Sequence, residues 1–125
     1  MTTAVPAFGS VVLDCADTLE LADFYAKLLD WPAADGDEGW LTLTNPAGGP
    51  KIEFQRVADF RAPDWPSAKK PQQFHLDLTV SDLAAAHERA VHLGARLLDD
   101  TRDHEGKGFR VYADPAGHPF CLCAC

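Results

Sequence analysis

The fold class is decided by one stretch in the second half of the chain, FHLDLTVSDLAAAHERAVHLG at residues 74–94. Its first seven residues alternate between apolar and polar side chains, which is typical of a strand with one buried face. Ser81 or Asp82 can cap a following helix, and Gly94 is a residue type that often ends one. The stretch therefore predicts a strand, a cap and a helix.

A similar arrangement opens the chain. Residues 8–15 (FGSVVLDC) are apolar and β-branched, which is typical of a strand. Asp17 or Thr18 can cap a helix that continues over 19–29 and stops before Pro32. The first half thus predicts the same order of elements as the second.

The rest of each half also repeats. The segment WLTLTNPAG (40–48) matches FRVYADPAG (109–117), and the two halves align without gaps from Ser10 and from His75. Alternating segments joined by turns predict a hairpin at the end of each half; they are 40–44, 51–55, 109–113 and 120–125. Two polar segments are predicted to be loops, 33–39 and 101–108. The sequence therefore predicts a duplicated strand–helix–strand–strand–strand unit in an α+β fold.

Composition limits the class of protein. The chain has 125 residues, of which 46% are hydrophobic and 24% charged, as in one soluble globular domain. A net charge of −8 argues against nucleic acid and anionic membranes as partners, because no basic stripe is present. We predict a single domain over 1–125, with module one at 8–56, a connecting arm at 57–73 and module two at 74–125.

The expected location is the cytoplasm. No apolar run approaches the ~20 residues of a membrane span, and the first residues lack the basic start of a signal peptide. Three of the four cysteines crowd the last five residues, unlike the spread spacing of a secreted disulfide framework. We therefore expect reduced thiols.

These elements resemble the vicinal oxygen chelate superfamily, which includes glyoxalase I, bleomycin-resistance proteins, fosfomycin-resistance enzymes and extradiol dioxygenases. The motifs that carry the resemblance are Ser10 to Asp17, Phe24-Tyr25 with Leu29, His75 to Asp82, Leu93-Gly94 and Asp114-Pro-Ala-Gly117. The glyoxalase-like domain branch is the most similar, through Trp65-Pro66, Pro71-Gln72-Gln73 and the strand from His75 to Leu78. Asp30 stands where the family usually has Gly, and Asp tolerates left-handed backbone geometry.

The resemblance implies two tandem βαβββ modules that form curved half-barrel sheets with helices on the outer face. It places the family's metal ligands at Ser10, Glu53, His75 and Cys121. Ser10 is a poor ligand, and Cys121 would favour zinc-like or thiophilic ions over the iron or magnesium of relatives. A divalent metal on His75, Glu53 and Cys121 is one interpretation. In the second, Glu53 and His75 line an organic-ligand cavity. In the third, the pocket is vestigial and the two side chains only satisfy each other's hydrogen-bonding groups inside the barrel.

Strand alternation extends the predicted site. The predicted ligand-binding residues are Ser10, Trp40, Thr42, Glu53, Gln55, His75, Asp77, Phe109, Val111 and Cys121. Their mixture of aromatic walls and a few polar groups suits a largely apolar small molecule. Trp40 and Phe109 could instead fill the core, Asp77 could fix a neighbour by a hydrogen bond, and Cys121 could simply be buried.

Three functions fit this sequence. The first is a protein that binds a largely apolar or aromatic compound in the barrel cavity. The second is a metal-assisted lyase, isomerase or epimerase, with Glu53 as the candidate catalytic base and His75 as its partner or a metal ligand. The third is a purely structural dimerisation module. Relatives with paired modules usually associate, so we expect a homodimer.

Overall fold

The computed structural model describes residues 7–63, 69 and 74–124. The chain divides into two compact units, Met1–Ala58 and Asp59–Cys125, which are called the first and the second unit below. The predicted motif residues Trp65-Pro66 and Pro71-Gln72-Gln73 lie outside the described residues.

The first unit has one helix and a sheet of four strands. Its elements are β1 (Ser10–Cys15), α1 (Thr18–Leu29), β2 (Asp35–Asp37), β3 (Trp40–Leu43) and β4 (Lys51–Arg56). The sheet order is β1-β4-β3-β2. Strands β1 and β4 run parallel, and the other pairs are antiparallel. The parallel pair places the start of the unit beside its end.

The second unit repeats this plan. Its elements are β5 (Leu76–Thr79), α2 (Leu83–Leu93), β6 (Arg96–Asp99), β7 (Asp103–His104), β8 (Lys107–Ala113) and β9 (Pro119–Ala124). The sheet order is β5-β9-β8-β6, and β7 pairs with β8. Strands β5 and β9 are parallel, as β1 and β4 are. The predicted α+β class and the two tandem modules are confirmed.

The helix ends follow the predicted signals. The Asp17 side chain accepts a hydrogen bond from the Glu20 backbone N–H at 3.0 Å, and Asp82 accepts one from Ala85 at 3.0 Å. Helix α1 ends at Asp30 in the left-handed region (φ 56°), and α2 ends at Gly94 (φ 117°). The prediction that Asp30 tolerates left-handed backbone geometry is confirmed.

One face of each sheet forms the core of its own unit. In the first unit the rings of Tyr25 on α1 and Phe54 on β4 stack with centroids 6.1 Å apart. In the second, Tyr112 and Phe120 stack at 5.4 Å. All four rings are buried. Because side chains alternate along a strand, the residues between these buried positions point to the opposite face.

Two short strands were predicted as loops, and that prediction is wrong for Asp35–Asp37 and for Asp103–His104. Strand β2 is exposed along its length, so it has no apolar alternation for the sequence to reveal. It is held by backbone pairing with β3, where a Cβ at Gly36 (φ 124°) would collide with the Trp40 carbonyl. Strand β2 is therefore defined by backbone pairing and not by an apolar pattern.

The oxidation state of the cysteines differs from the expectation at Cys123. Cys15 and Cys121 are buried thiols, whereas Cys123 is disulfide-bonded. The expectation of reduced thiols is therefore wrong for Cys123. Within the described ranges, no helix has the length and apolarity needed to cross a membrane.

Candidate functional site

In the first unit, the predicted site residues share the sheet face opposite the core. The strand register sets Glu53 of β4 between Val12 of β1 and Thr42 of β3. Trp40 lies beside Gln55, two residue pairs further along the same two strands and on the same face. Three strands thus bring the polar side chains of this face together around Glu53.

Glu53 accepts hydrogen bonds from three side chains. The Trp40 indole Nε1–H and the Thr42 hydroxyl both donate to Glu53 Oε2, the latter at 3.0 Å. The Ser10 hydroxyl donates a third hydrogen bond to the same carboxylate. The bonds from Trp40 and Ser10, with smaller help from Thr42 and the Lys51 charge, hold the pKa of Glu53 below its usual value. Glu53 is therefore ionised at neutral pH.

This arrangement tests the metal site that the family resemblance implies. Ser10 stands at a position where the metal-binding relatives have a ligand, and here it donates a hydrogen bond to Glu53. The Glu53 oxygen that accepts from Trp40 and Thr42 has its lone pairs committed to those donors. In the first unit, Ser10 and one oxygen of Glu53 are therefore engaged in hydrogen bonds.

Trp40 is exposed enough to meet a ligand. Its side chain and backbone together keep 40% of their accessible surface, whereas Leu41 and Leu43 beside it are buried. The core-filling interpretation is therefore wrong for Trp40 within its own unit. Its hydrogen bond to Glu53 fixes the orientation of the ring.

In the second unit, three predicted site residues form a cluster. Asp77 of β5 pairs directly with Cys121 of β9, and His75 lies two residues before Asp77 on the same face. His75 Nε2 is 3.1 Å from Asp77 Oδ1. One ligand atom from each of the three side chains lies within 4.8 Å of the others. The predicted role of Asp77 in fixing a neighbour is consistent with this contact.

Cys121 is the buried member of the cluster. Burial, together with the Asp77 charge and a hydrogen bond from the thiol to Asp77, raises the pKa of Cys121 to about 11. Because the thiolate is the nucleophilic form, this thiol is a poor nucleophile at neutral pH. A covalent mechanism through Cys121 therefore has no support.

The remaining predicted residues flank this cluster. Val111 of β8 is buried and pairs with Cys121, and Phe109 is half-buried and pairs with Cys123. Both lie on the same face as His75 and Asp77. The apolar side chains thus border the polar cluster in the second unit.

The predicted metal set differs from the observed cluster in one ligand. The structure brings His75 and Cys121 together and adds Asp77, whereas Glu53 belongs to the first unit with its own three donors. Sequence reasoning placed Asp77 among the ligand-binding residues but not in the metal set. Its alternation with His75 and its register with Cys121 could have revealed it. Nitrogen, oxygen and sulfur donors of this kind suit zinc.

A second polar network lies on the opposite face of the second sheet. His87 Nδ1 is 2.8 Å from the Tyr112 hydroxyl, and Arg110 joins Tyr112 to Asp103, whose carboxylate it contacts at 2.6 Å. The Arg110 hydrogen bond holds the pKa of Asp103 below its usual value. His87 is therefore held by a side-chain contact with Tyr112. The network satisfies polar groups between α2 and the sheet.

A surface cavity of about 280 Å³ lies at the start of α1. It is lined by Ala16, Asp17, Thr18, Leu19, Glu38 and Arg56. Asp17 already accepts from the helix N-terminus, and the buried Thr18 hydroxyl donates to the Glu38 carbonyl at 2.7 Å. None of the predicted ligand residues lines this cavity.

Known structures share this fold. A glyoxalase/bleomycin resistance protein/dioxygenase family enzyme from Burkholderia phytofirmans is 17% identical with a TM-score of 0.72, over 94% of this chain and 97% of that one. A glyoxalase-related enzyme from Fulvimarina pelagi is 19% identical (TM-score 0.69), over 94% and 87%. The bleomycin-binding protein of Streptomyces verticillus, solved with copper(II)-bleomycin, is 18% identical (TM-score 0.58), over 97% and 98%.

Sequence comparison is consistent with the fold. No curated protein sequence matches this chain. The family model described as the glyoxalase-like domain matches residues 10–123, nearly the whole length. The duplicated βαβββ plan agrees with the vicinal oxygen chelate superfamily. The chain therefore belongs to the glyoxalase-like domain family.

Proposed function

We propose that this protein binds a small, largely apolar or aromatic compound that carries a hydrogen-bond donor or a positive charge. The fold supports a small-molecule-binding or metal-dependent role. The observation that carries the proposal is the pairing of an exposed indole, Trp40, with the ionised carboxylate of Glu53 on one sheet face.

The carboxylate supplies the polar part of recognition. An ionised carboxylate has about four lone-pair sites, and three donors bind Glu53, which leaves capacity for one donor from a ligand. The three donors also fix its position, so a ligand group meets a preorganised acceptor. A cationic or donor group is favoured over an anionic one.

The indole supplies the apolar part. Stacking of an aromatic ligand on Trp40 would bury ring surface and add about 0.5–1.5 kcal/mol beyond that burial. The exposed Gln55 beside Trp40 offers an amide that can donate or accept at the edge of the ring. These residues, with Ser10 and Thr42, are the proposed ligand face of the first unit. In the second unit, His75, Asp77, Phe109, Val111 and Cys121 remain proposed ligand residues.

The alternative is a metal-assisted lyase, isomerase or epimerase with Glu53 and His75 in the site. A general base is most effective when its pKa lies near the working pH. The hydrogen bonds to Glu53 move its pKa in the other direction. This favours recognition over proton abstraction as the role of Glu53.

The proposal is tested with two matched probes, 1-naphthylmethylammonium and 1-naphthoate, which share a ring and differ in charge. We expect the cation to bind at least about tenfold more tightly and to shift the Trp40 indole N–H resonance in a ¹H–¹⁵N spectrum. Trp40→Phe assigns that resonance and weakens binding, and Glu53→Gln removes the preference for the cation. Trp31→Phe is the control and should leave binding unchanged.

Three results would contradict the proposal. Equal binding of both probes would remove the role of the Glu53 charge. A shift confined to another tryptophan would move the site away from β3. Binding that ignores both Trp40→Phe and Glu53→Gln would make this pair structural.

We also propose that the protein is a homodimer. Both sheets are open, and an open edge presents unpaired backbone groups that association can cover. Light scattering of the full chain should give twice the 13.6 kDa of one chain. A species of 13.6 kDa alone at micromolar concentration would contradict this. The cytoplasmic location stays a prediction from the sequence.

A further inference from the structure

We propose that the surface cavity at the start of α1 binds a free α-amino acid with an apolar side chain, in its zwitterionic form. The cavity has a volume of about 280 Å³, and all its lining residues belong to the first unit. Pockets for drug-sized molecules begin at about 300 Å³, so this volume suits a small metabolite. The site goes beyond the proposed function, since it uses none of the residues of the proposed ligand face.

The cavity lies on the helix side of the sheet. Side chains alternate along β4, so Arg56 points to the same side as the buried Phe54, whereas Glu53 and Gln55 point to the other side. Arg56 is exposed because β4 ends there, beside the first turn of α1. The cavity is therefore separate from the face that carries Trp40 and Glu53.

Hydrogen bonds hold the walls of the cavity in place. The hydroxyl of Thr18, a residue that is only 2% exposed, donates to the Glu38 carbonyl at 2.7 Å. The Arg56 backbone N–H donates to the Gly39 carbonyl at 3.0 Å. The turn before β3 is thus tied both to the start of α1 and to the end of β4. A ligand meets walls that need little reorganisation.

The charged side chains of the cavity do not neutralise one another. They are one guanidinium, Arg56, and two carboxylates, Asp17 and Glu38. Among the described residues, none of these three takes part in an ion pair, and the side chains of Arg56 and Glu38 make no hydrogen bond. A simple anion would meet two acids, and a simple cation would meet Arg56. A ligand that carries both charges is therefore favoured.

The two charges of an amino acid match these groups. The planar guanidinium of Arg56 presents parallel N–H donors that bind a carboxylate in a bidentate way. An ammonium group has three N–H donors, which Glu38 and the second oxygen of Asp17 can accept, because only Asp17 Oδ1 is used by the Glu20 N–H. Each charged group of the ligand thus meets a partner of opposite sign.

Leu19 supplies the preference for an apolar side chain. It is 55% exposed, although it lines the same cavity as the three charged residues, and Ala16 lines it too. Removing apolar surface from water is favourable. A side chain like that of leucine or phenylalanine covers this surface, whereas glycine has no side chain to do so.

The second unit shows that the fold alone does not produce this set of residues. Its helix begins with the same kind of cap, Asp82. The positions equivalent to Leu19 and Arg56, however, hold Ala84 and Ala124. Capping therefore requires neither a guanidinium nor an exposed leucine, and in the first unit these two side chains are available to a ligand.

The experiment is a ¹H–¹⁵N titration of the full chain with L-leucine, L-leucinamide and N-acetyl-L-leucine, which share one side chain. The amide lacks the carboxylate charge, and the acetyl compound lacks the ammonium charge. At about pH 6.5 the remaining groups are charged. We expect leucine to bind at least about tenfold more tightly than either, because each has lost one charged contact. The amide signals of Thr18, Leu19 and Arg56 should shift, and glycine should bind more weakly than leucine.

Two variants assign the charges. Arg56→Gln should remove the advantage of leucine over leucinamide, and Glu38→Gln should reduce its advantage over N-acetylleucine. Lys27→Gln and Glu20→Gln are the matched controls, since each removes a charge of the same sign from α1 outside the cavity. Both controls should leave the three affinities unchanged. All four side chains are exposed, so these variants should fold.

Any of three results would overturn the proposal. One is the absence of a saturable shift with leucine up to about 10 mM, a concentration well above a millimolar Kd. A second is equal affinity for the three leucine probes, which would remove the roles of the Arg56 and Glu38 charges. The third is leucine binding that ignores both Arg56→Gln and Glu38→Gln. Glu53→Gln should leave leucine binding unchanged, so this proposal and the proposed function fail separately.

Discussion

The two units share a βαβββ order, to which the second adds the short strand β7, but they use equivalent positions for different chemistry. Three pairs of equivalent positions differ, namely Ser10 and His75, Val12 and Asp77, and Glu53 and Cys121. In the first unit the Glu53 carboxylate is surrounded by hydrogen-bond donors, whereas in the second the Asp77 carboxylate lies beside an imidazole and a thiol. The two units thus share a sheet arrangement and differ in the side chains on the face opposite the core.

The buried face offers the largest test of this comparison. Phe54 and Leu122 occupy equivalent, fully buried positions on β4 and β9. Phe54→Ala should cost about 3–5 kcal/mol of unfolding free energy and Leu122→Ala about 2–5, because each leaves a cavity. Denaturant unfolding measures both.

The exposed neighbour Gln55 provides the control, since Gln55→Ala should change stability by less than about 0.5 kcal/mol. A loss below about 1 kcal/mol for either core variant would show that the two sheets do not share an equivalent core.

Much of the fold was readable from the sequence because the duplication repeated every signal. The caps at Asp17 and Asp82 and the left-handed ends at Asp30 and Gly94 each have a local cause. Strands β2 and β7 were missed, because an exposed edge strand depends on backbone pairing and leaves no apolar pattern.

The site was only partly predictable. Alternation placed Glu53 with Trp40 and Thr42, and His75 with Cys121, on shared faces. It could not show that Ser10 donates to Glu53, because a hydroxyl at that position can serve as a ligand or a donor. Which chemistry holds depends on side-chain distances between strands, and a single sequence does not contain these.

The electrostatic difference between the two units can be tested by placing a second carboxylate beside the existing one in each unit. Cys121→Glu puts a second acid beside Asp77, in a buried place where like charges oppose ionisation. We expect a loss of roughly 2–3 kcal/mol at pH 8, measured by denaturant unfolding with chelator present. Cys121→Gln has the same size without the charge and isolates the electrostatic part.

The pH dependence has a definite sign. A carboxyl whose folded pKa is raised stabilises the fold when protonated, and this contribution is lost as the pH rises. The Glu variant should therefore approach the Gln variant near pH 5. Val12→Asp makes the equivalent pair in the first unit and should cost less, because three donors already stabilise the Glu53 charge. An equal cost in both units would remove the electrostatic difference between them.

The helix ends give a smaller effect. Gly94 ends α2 at φ 117°, a geometry that side chains rarely adopt, while Asp30 ends α1 at φ 56° in the ordinary left-handed region. Gly94→Ala should cost about 1–2 kcal/mol. A Cβ there would meet Pro115 Cγ at 3.6 Å, an ordinary contact, so the cost is conformational.

The matched change in the first unit is Asp30→Gly, which should alter stability by less than about 0.5 kcal/mol. Thermal unfolding of both variants measures the difference. Equal effects of the two substitutions would mean that the two caps are under the same backbone constraint.

The smallest effect concerns the charge of Glu53. Its pKa is lowered by the donors Trp40 and Ser10, so the ionised form stabilises the fold above the usual value of 4.5 and this contribution is lost as the pH falls through the folded pKa. Because the carboxylate is only half-buried, Glu53→Gln should cost about 0.5–1 kcal/mol at pH 7 and less at pH 3. An NMR titration of the carboxyl carbon should give a pKa below 4.5 in the parent protein, and Trp40→Phe should move it upward because the largest of the donors is lost. Gln55→Ala, on the same strand face, should leave the titration unchanged. A Glu53 pKa at or above 4.5 in the parent would mean that the three donors do not stabilise its charge. The contrast between a carboxylate held by donors in one unit and a carboxylate beside an imidazole and a thiol in the other would then no longer hold.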